Sequence, residues 1–184
     1  MLNVRLGVSQ KNWSLKVKLL RIMWMGMSFI YWPIFPKFFS PIRVWSARLF
    51  GAQIGRNCLI CSGVKIWMPW NLTLGDCVSL GHNVEIYNFG KISIDDHSSI
   101  SQKVFLCSAS HDYTNPIHPL IYKEIRIDAQ CWLAAGCFIG PGVHIKEGVV
   151  VGAMSVVTKD TECWGVYAGN PAVFIKKRVL VNGS

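Results

Sequence analysis

Of the five histidines in this chain, His111 has the surroundings of a reactive group. It stands between Ser110 and Asp112 in a polar, proline-bearing stretch, CSASHDYTNPIHPLIYKE, at 107–124. A neutral imidazole near pH 7 accepts a proton from a hydroxyl or amine while that group attacks an electrophile. Such a base needs a partner that fixes its tautomer. Asp112 is the nearest carboxylate, and Asp95, Asp96, Glu124 and Asn88 are further candidates once the chain is folded. His118, between Ile117 and Pro119, could line a substrate pocket or staple the loop. The sequence holds neither a G-x-S-x-G elbow for a serine nucleophile nor a phosphate-cradling glycine loop. A histidine base without a protein nucleophile favours direct transfer from an activated donor to an acceptor hydroxyl.

Metal chemistry has weaker support. Three-histidine zinc ligation would require His82, His97, His118 or His144 to converge from separate turns or separate copies. His82 and His144 sit beside repeat positions, where exposure to solvent is expected. Cys58 with Cys61, and Cys131 with Cys137, are read as packing residues, because free cysteine behaves as a small hydrophobe. No metal site is expected.

The frame that must position His111 is a six-residue rhythm. Aliphatic residues recur at Ile127, Leu133, Ile139, Ile145, Val151 and Val157, and smaller ones two places earlier, from Ile125 through Cys131, Cys137, Val143 and Val149 to Ser155. A helix would show a period near 3.6; six suits a short strand with two alternate residues inward, followed by a turn. The same rhythm begins at Ile54 and runs through Ile60, Ile66, Leu74, Leu80, Ile86, Ile94 and Ile100 to Leu106. It slips by two residues at Trp67–Thr73 and again at Tyr87–Ser93. Three hexads per turn predict a β-solenoid of about five coils over 51–160, in which each coil packs on its neighbours. The stretch 107–124 interrupts the rhythm and is expected to protrude as a loop.

Composition adds bounds. The 184 residues are 51% hydrophobic and only 16% charged, with a net charge of +9. So apolar a solenoid is expected to cover surface by oligomerising or by facing a membrane. Seven cysteines, several at inward positions, suggest a reducing, cytoplasmic compartment. The positive charge gathers toward the two ends, but no nucleic-acid motif accompanies it. At 1–50 a helical segment is expected. The uncharged run Ile22–Phe35 is too short to span a bilayer and is broken by Pro33. It suits an interfacial helix, with Lys16, Lys18 and Arg21 meeting lipid headgroups across residues 13–38, or a cap over the open end of the solenoid. A second short helix is expected at 42–50. The tail at 161–184, with a turn at Gly169–Pro171, is expected to pack on the solenoid.

Residues 50–178 resemble the hexapeptide-repeat acyltransferases. The resemblance is carried by IGPGVHIKEGVVVGAMSVVTKD (139–160), AGNPA (168–172) and SASHDY (108–113). PWNLTLGD (69–76), IYNFG (86–90) and ISQKVFLCSASHD (100–112) resemble, more narrowly, the acetyltransferases of colanic acid biosynthesis. The resemblance implies an all-β solenoid that is a left-handed parallel β-helix, an exception to the right-handed crossover rule. It also implies a homotrimer with sites between protomers, acetyl-coenzyme A as cosubstrate, and His111 as general base. Donor contacts would fall on Trp132, Ala135, Ala153, Thr158, Lys159 and Lys176. The asparagine that commoner sugar acetyltransferases use toward the acceptor falls on Gly81, so Asn83, Asn88, Asp112 and His118 become the acceptor-site candidates.

The expected reaction is therefore transfer of an acetyl group to a sugar hydroxyl, or to a lipid-linked saccharide, in cell-surface polysaccharide synthesis. That would put the protein in the cytoplasm, peripheral on the inner face of the membrane. Three alternatives share parts of the pattern: acylation of an amino acid or amino sugar, a non-catalytic scaffold, and a zinc-dependent β-helix lyase.

Overall fold

The computed structural model describes residues 13–28, Trp32 and 39–181. The hexads wind into a three-faced prism of parallel strands. The first face stacks Gln53–Ile54, Leu72–Leu74, Ile92–Ile94, Ile125–Ile127 and His144–Ile145. The second stacks Leu59–Ile60, Ser79–Leu80, Ser99–Ile100, Trp132–Leu133 and Val150–Val151. The third stacks Lys65–Ile66, Glu85–Tyr87, Phe105–Cys107, Phe138–Ile139 and Val156–Val157. Pairing is in register, so like side chains form columns inside: Ile60, Leu80, Ile100, Leu133 and Val151 on one face, Ile66, Ile86, Leu106, Ile139 and Val157 on another. All of these are buried. Cys131 and Cys137 lie in the same core, and burial pushes both thiols up to about 12, which keeps them protonated.

Beyond residue 160 the chain extends the prism as well as packing on it. Gly165–Gly169 adds a further parallel strand to the second face, and Ala172–Lys177 folds back antiparallel at its edge. The prism thus has five complete coils and the start of a sixth, the β-helix expected of the hexad.

All three departures from the hexad fall at the corner between the third and first faces. A 3₁₀ turn, Pro69–Asn71, takes up the first slip. The second holds Asn88, which is fully buried: its amide oxygen accepts from Met68 N at 2.9 Å and its amide nitrogen donates to Met68 O at 2.6 Å. The excursion at 107–124 is the third. Aromatic rings clad this corner and the third face above it, with Trp67, Tyr87, Phe89, Phe105 and Phe138 in successive contact.

The first coil is capped by two helices, α1 (Leu15–Gly26) and α2 (Ser40–Leu49). Ser14 opens α1 by accepting from Val17 N, and Pro41 stands in the first turn of α2. Trp24 is fully buried and donates its indole N–H to Ile66 O at 2.5 Å. Ser40 Oγ accepts from Ile60 N at 2.8 Å, and the buried Arg43 donates to Trp32 O at 3.1 Å. The bonds to Ile66 O and Ile60 N occupy backbone groups that an uncovered terminal coil would leave unpaired. Of the segment at 13–38 expected to meet a membrane, residues 29–31 and 33–38 lie outside the described residues. Among those described, no helix is long and apolar enough to cross a membrane.

Replacing Asn88 with Ala should lower unfolding stability by about 2 kcal/mol or more, because a buried N–H and a buried C=O of Met68 lose their partner together. Denaturant titration checks this, and a loss no larger than that of an exposed substitution would contradict it.

Candidate active site

The excursion is a built hairpin. Ala109–His111 pairs antiparallel with Leu120–Tyr122, setting His111 opposite Leu120. Its root is held by Ser108, whose buried hydroxyl accepts from Gly90 N at 2.9 Å and donates to Tyr87 O at 3.0 Å. Ser108 O accepts from Lys123 N, closing the base of the excursion. At its tip Asp112 Oδ1 accepts from Thr114 N at 3.0 Å and from Thr114 Oγ1 at 2.6 Å. These bonds hold the Asp112 carboxyl below its ordinary range, the Thr114 hydroxyl acting most strongly.

The group that orients His111 is none of the carboxylates. Its Nδ1 lies 2.6 Å from the carbonyl oxygen of His118. A carbonyl only accepts, so Nδ1 carries the proton and Nε2 keeps its lone pair. His118 has φ +44, a left-handed conformation unusual for a residue with a side chain. Its contribution to the site is this backbone oxygen. Two other acceptor-side candidates have structural duties. Asp112 is engaged with its own loop, and Asn88 has both amide atoms bound inside the corner and presents none to a substrate. Asn83, with φ +57, is a turn residue whose amide oxygen lies over Gly63 of the coil below.

A groove of roughly 360 Å³ opens on the second face, lined by Ser79, Gly81, His82, Ser99, Ser101 and Gln102 among others. Ser79 and Ser99 share a hydroxyl–hydroxyl bond of 3.1 Å, and His82 Nδ1 meets Ser62 Oγ at 2.9 Å. The half-exposed Trp132 indole donates to Ser101 Oγ at 3.0 Å. Gly81 cannot carry a side chain here, because a Cβ would stand 2.7 Å from Gln102 N in the next coil. Of these groove residues the sequence singles out Trp132, His82 and Gly81, the last two for other reasons, and it does not mark Ser79, Ser99, Ser101 or Gln102. These four are ordinary outward positions, aligned only when successive coils stack, and the twenty-residue spacing from Ser79 to Ser99 is the trace of that coil length.

The expected donor residues divide between two sides of the prism. Trp132 pairs with Val150, Val150 with Val166, and Val166 with Lys176, so Lys176 shares the outward row of the second face. Ala135 and Ala153 stack at that face's edge, Met154 N donating to Ala135 O at 2.9 Å. Thr158 and Lys159, both exposed, follow Val156–Val157 at the corner from which the His111 hairpin leaves. That corner lies opposite the second face. On the second face, two methyl side chains in a column with the exposed Lys176 in the neighbouring row have the character that a narrow uncharged arm ending in phosphates, such as that of coenzyme A, requires. His144, expected at an exposed turn, lies instead within a strand, where its Nε2 pairs with Asp128 Oδ1 at 2.7 Å. Packing of the outer first face buries this pair in part.

Because the Asp112 carboxyl is held low, its bond to Thr114 should persist as pH falls through the ordinary carboxylate range and break only below it. Amide hydrogen exchange at Thr114 reads this directly; Asp112→Ala should exchange fast at every pH, and protection lost already near pH 5 would contradict the assignment.

No protein-family model matches the sequence. Over 137 residues it is 47% identical to the Escherichia coli (strain K12) protein described as "Putative colanic acid biosynthesis acetyltransferase WcaF", covering 74% of this chain and 75% of that one. Among solved structures, a galactoside acetyltransferase in complex with coenzyme A superposes with a TM-score of 0.82 at 21% identity, covering 91% and 84% of the two chains. A maltose O-acetyltransferase from Clostridium difficile 630 gives 0.80 at 24%, covering 92% and 91%. The hexad prism, its ejected histidine hairpin and this sequence identity agree: the chain belongs to the hexapeptide-repeat acyltransferases.

Proposed function

We propose that the protein moves an acetyl group from acetyl-coenzyme A to a hydroxyl of a saccharide, in the synthesis of a cell-surface polysaccharide. The relatives' described activities support the donor and the substrate class. The observation that carries the chemistry is the bond from His111 Nδ1 to the His118 carbonyl. It leaves the lone pair on Nε2, the nitrogen that can then act as a base.

In this reading the acetyl thioester supplies the electrophile. His111 Nε2 takes the proton from the acceptor hydroxyl as the oxygen forms its bond to the acetyl carbon. The imidazolium, stabilised through Nδ1 by the His118 carbonyl, returns that proton to the departing sulfur as the carbon–sulfur bond breaks. The charge balances without an acyl-enzyme. The groove of hydroxyls and amide around Ser79, Ser99, Ser101 and Gln102, walled by Trp132, suits a polyol, which needs many hydrogen-bond partners and one apolar face.

The placement of the parts supports a homotrimer with sites between copies. His111, Thr158 and Lys159 occupy one corner, whereas the groove, Trp132, Ala135, Ala153 and Lys176 occupy the opposite face and its edge. A ring of copies packed corner against face would bring the two sets together. In the cell the acceptor would be a sugar or a lipid-linked saccharide handled in the cytoplasm at the inner membrane surface.

His111→Ala should reduce turnover of acetyl-coenzyme A with a saccharide acceptor by about a hundred- to ten-thousandfold. Oligomeric mass and coenzyme A binding should stay unchanged, and undiminished turnover would remove the assignment.

A further inference from the structure

The N-terminal helices turn apolar faces away from the protein. In α1, Val17, Leu20, Arg21 and Trp24 look inward. Leu15, Leu19, Ile22 and Met23, spaced i, i+4, i+7 and i+8, form a stripe on the opposite side, with Leu15 73% and Ile22 66% exposed. At 3.6 residues per turn, Lys16 falls on one flank of that stripe and Lys18 on the other. The inward face already does the capping through Trp24, so the outer stripe has no role in the described fold. In α2, Ile42, Trp45 and Leu49 repeat the pattern at i, i+3 and i+7, with Trp45 62% exposed. An apolar cavity of roughly 420 Å³ lined by Met27, Trp32, Phe39, Ile42 and Trp45 joins the end of α1 to the α2 stripe.

Charge identifies what covers these faces. Eight of the 19 lysines and arginines lie in the first 50 residues, and none of the ten acidic residues does; the first is Asp76. Nearly all of the +9 net charge therefore belongs to the helical segment. A second copy of this surface would set lysines against lysines. An anionic bilayer offers hydrocarbon to the stripe and phosphate to its flanks at once. Trp45 suits the headgroup boundary, where an indole finds both. At 12 residues, α1 lies on such a surface and does not span it.

We propose that the outer faces of α1 and α2 dock the protein on an anionic lipid bilayer. Docking also sets the position of the hairpin. The Trp13 ring, just before α1, meets Phe89 at 5.9 Å, and the adjoining Gly90 N–H is held by Ser108 at the hairpin root. The bilayer-facing helix thus begins beside the base of the strand that carries His111. On the functional reading above, on which this last step rests, an acceptor anchored in the membrane meets the base without leaving the surface.

The full chain is sedimented with vesicles of phosphatidylcholine alone and of an equal mixture with phosphatidylglycerol, at low and high salt. Wild type should bind the mixed vesicles at least about tenfold better, and high salt should reverse that gain. L19E/I22E and K16E/K18E should each lose about tenfold in affinity. Both should keep wild-type turnover on a short water-soluble glycoside while losing it on a long-chain alkyl glycoside held in the vesicles. His111→Ala should bind vesicles normally, so failure of the base assignment would leave docking intact. Docking is overturned if wild type stays in the supernatant or if the variants bind as well as wild type. It is equally overturned if L19E/I22E changes the oligomeric mass, which would make the stripe a contact between copies.

Discussion

Everything in this molecule rests on stacking: each six-residue rung must place its two inward side chains directly over those of the matching rung in the coil before it, 20 residues earlier at Ser99 and 18 at Val150. The backbone N–H and C=O groups of one coil find partners only in the coils above and below, as in Gly75 N to Ile94 O or Phe138 N to Ser155 O. A single misplaced residue would turn a whole column outward. Insertions are therefore admitted only where they leave the columns intact, and all three fall at one corner. The corner that tolerates the two-residue slips is also the one that ejects the hairpin.

Rigidity of the site follows from the same source. Ser108 fastens the hairpin to the coil beneath it, Lys123 N closes its base on Ser108 O, and the antiparallel ladder aligns His111 with the strand that returns from His118. The backbone of His118 bends into a left-handed conformation, and its carbonyl receives the imidazole proton. A carbonyl oxygen only accepts, so it fixes the tautomer of the ring.

The sequence made the prism legible because burial has a period, and Ile54 to Val157 display it with two slips that could be counted. His111 was legible because it stands where that period is abandoned. The hydrogen bond that orients it was not, since a main-chain carbonyl leaves no mark in residue identity. Asn88 misled for a related reason: a polar residue in an insertion looks available, yet here it replaces backbone partners that the slip removed. The groove was invisible because Ser79, Ser99 and Ser101 come from different coils, and only stacking makes them one surface. Nor could the sequence divide the inner from the outer side of α1, because apolar residues occur on both.

The central claim is that the base on one copy serves the groove on another, because the two lie on opposite sides of the same prism. Co-expression of His111→Ala with Ser99→Tyr, which fills the groove, tests it most directly. Each variant alone should be nearly inactive. Mixed oligomers should recover about a quarter of wild-type turnover, since random assembly pairs an intact base with an intact groove at that fraction of interfaces. Mixed oligomers no more active than either parent would contradict the account.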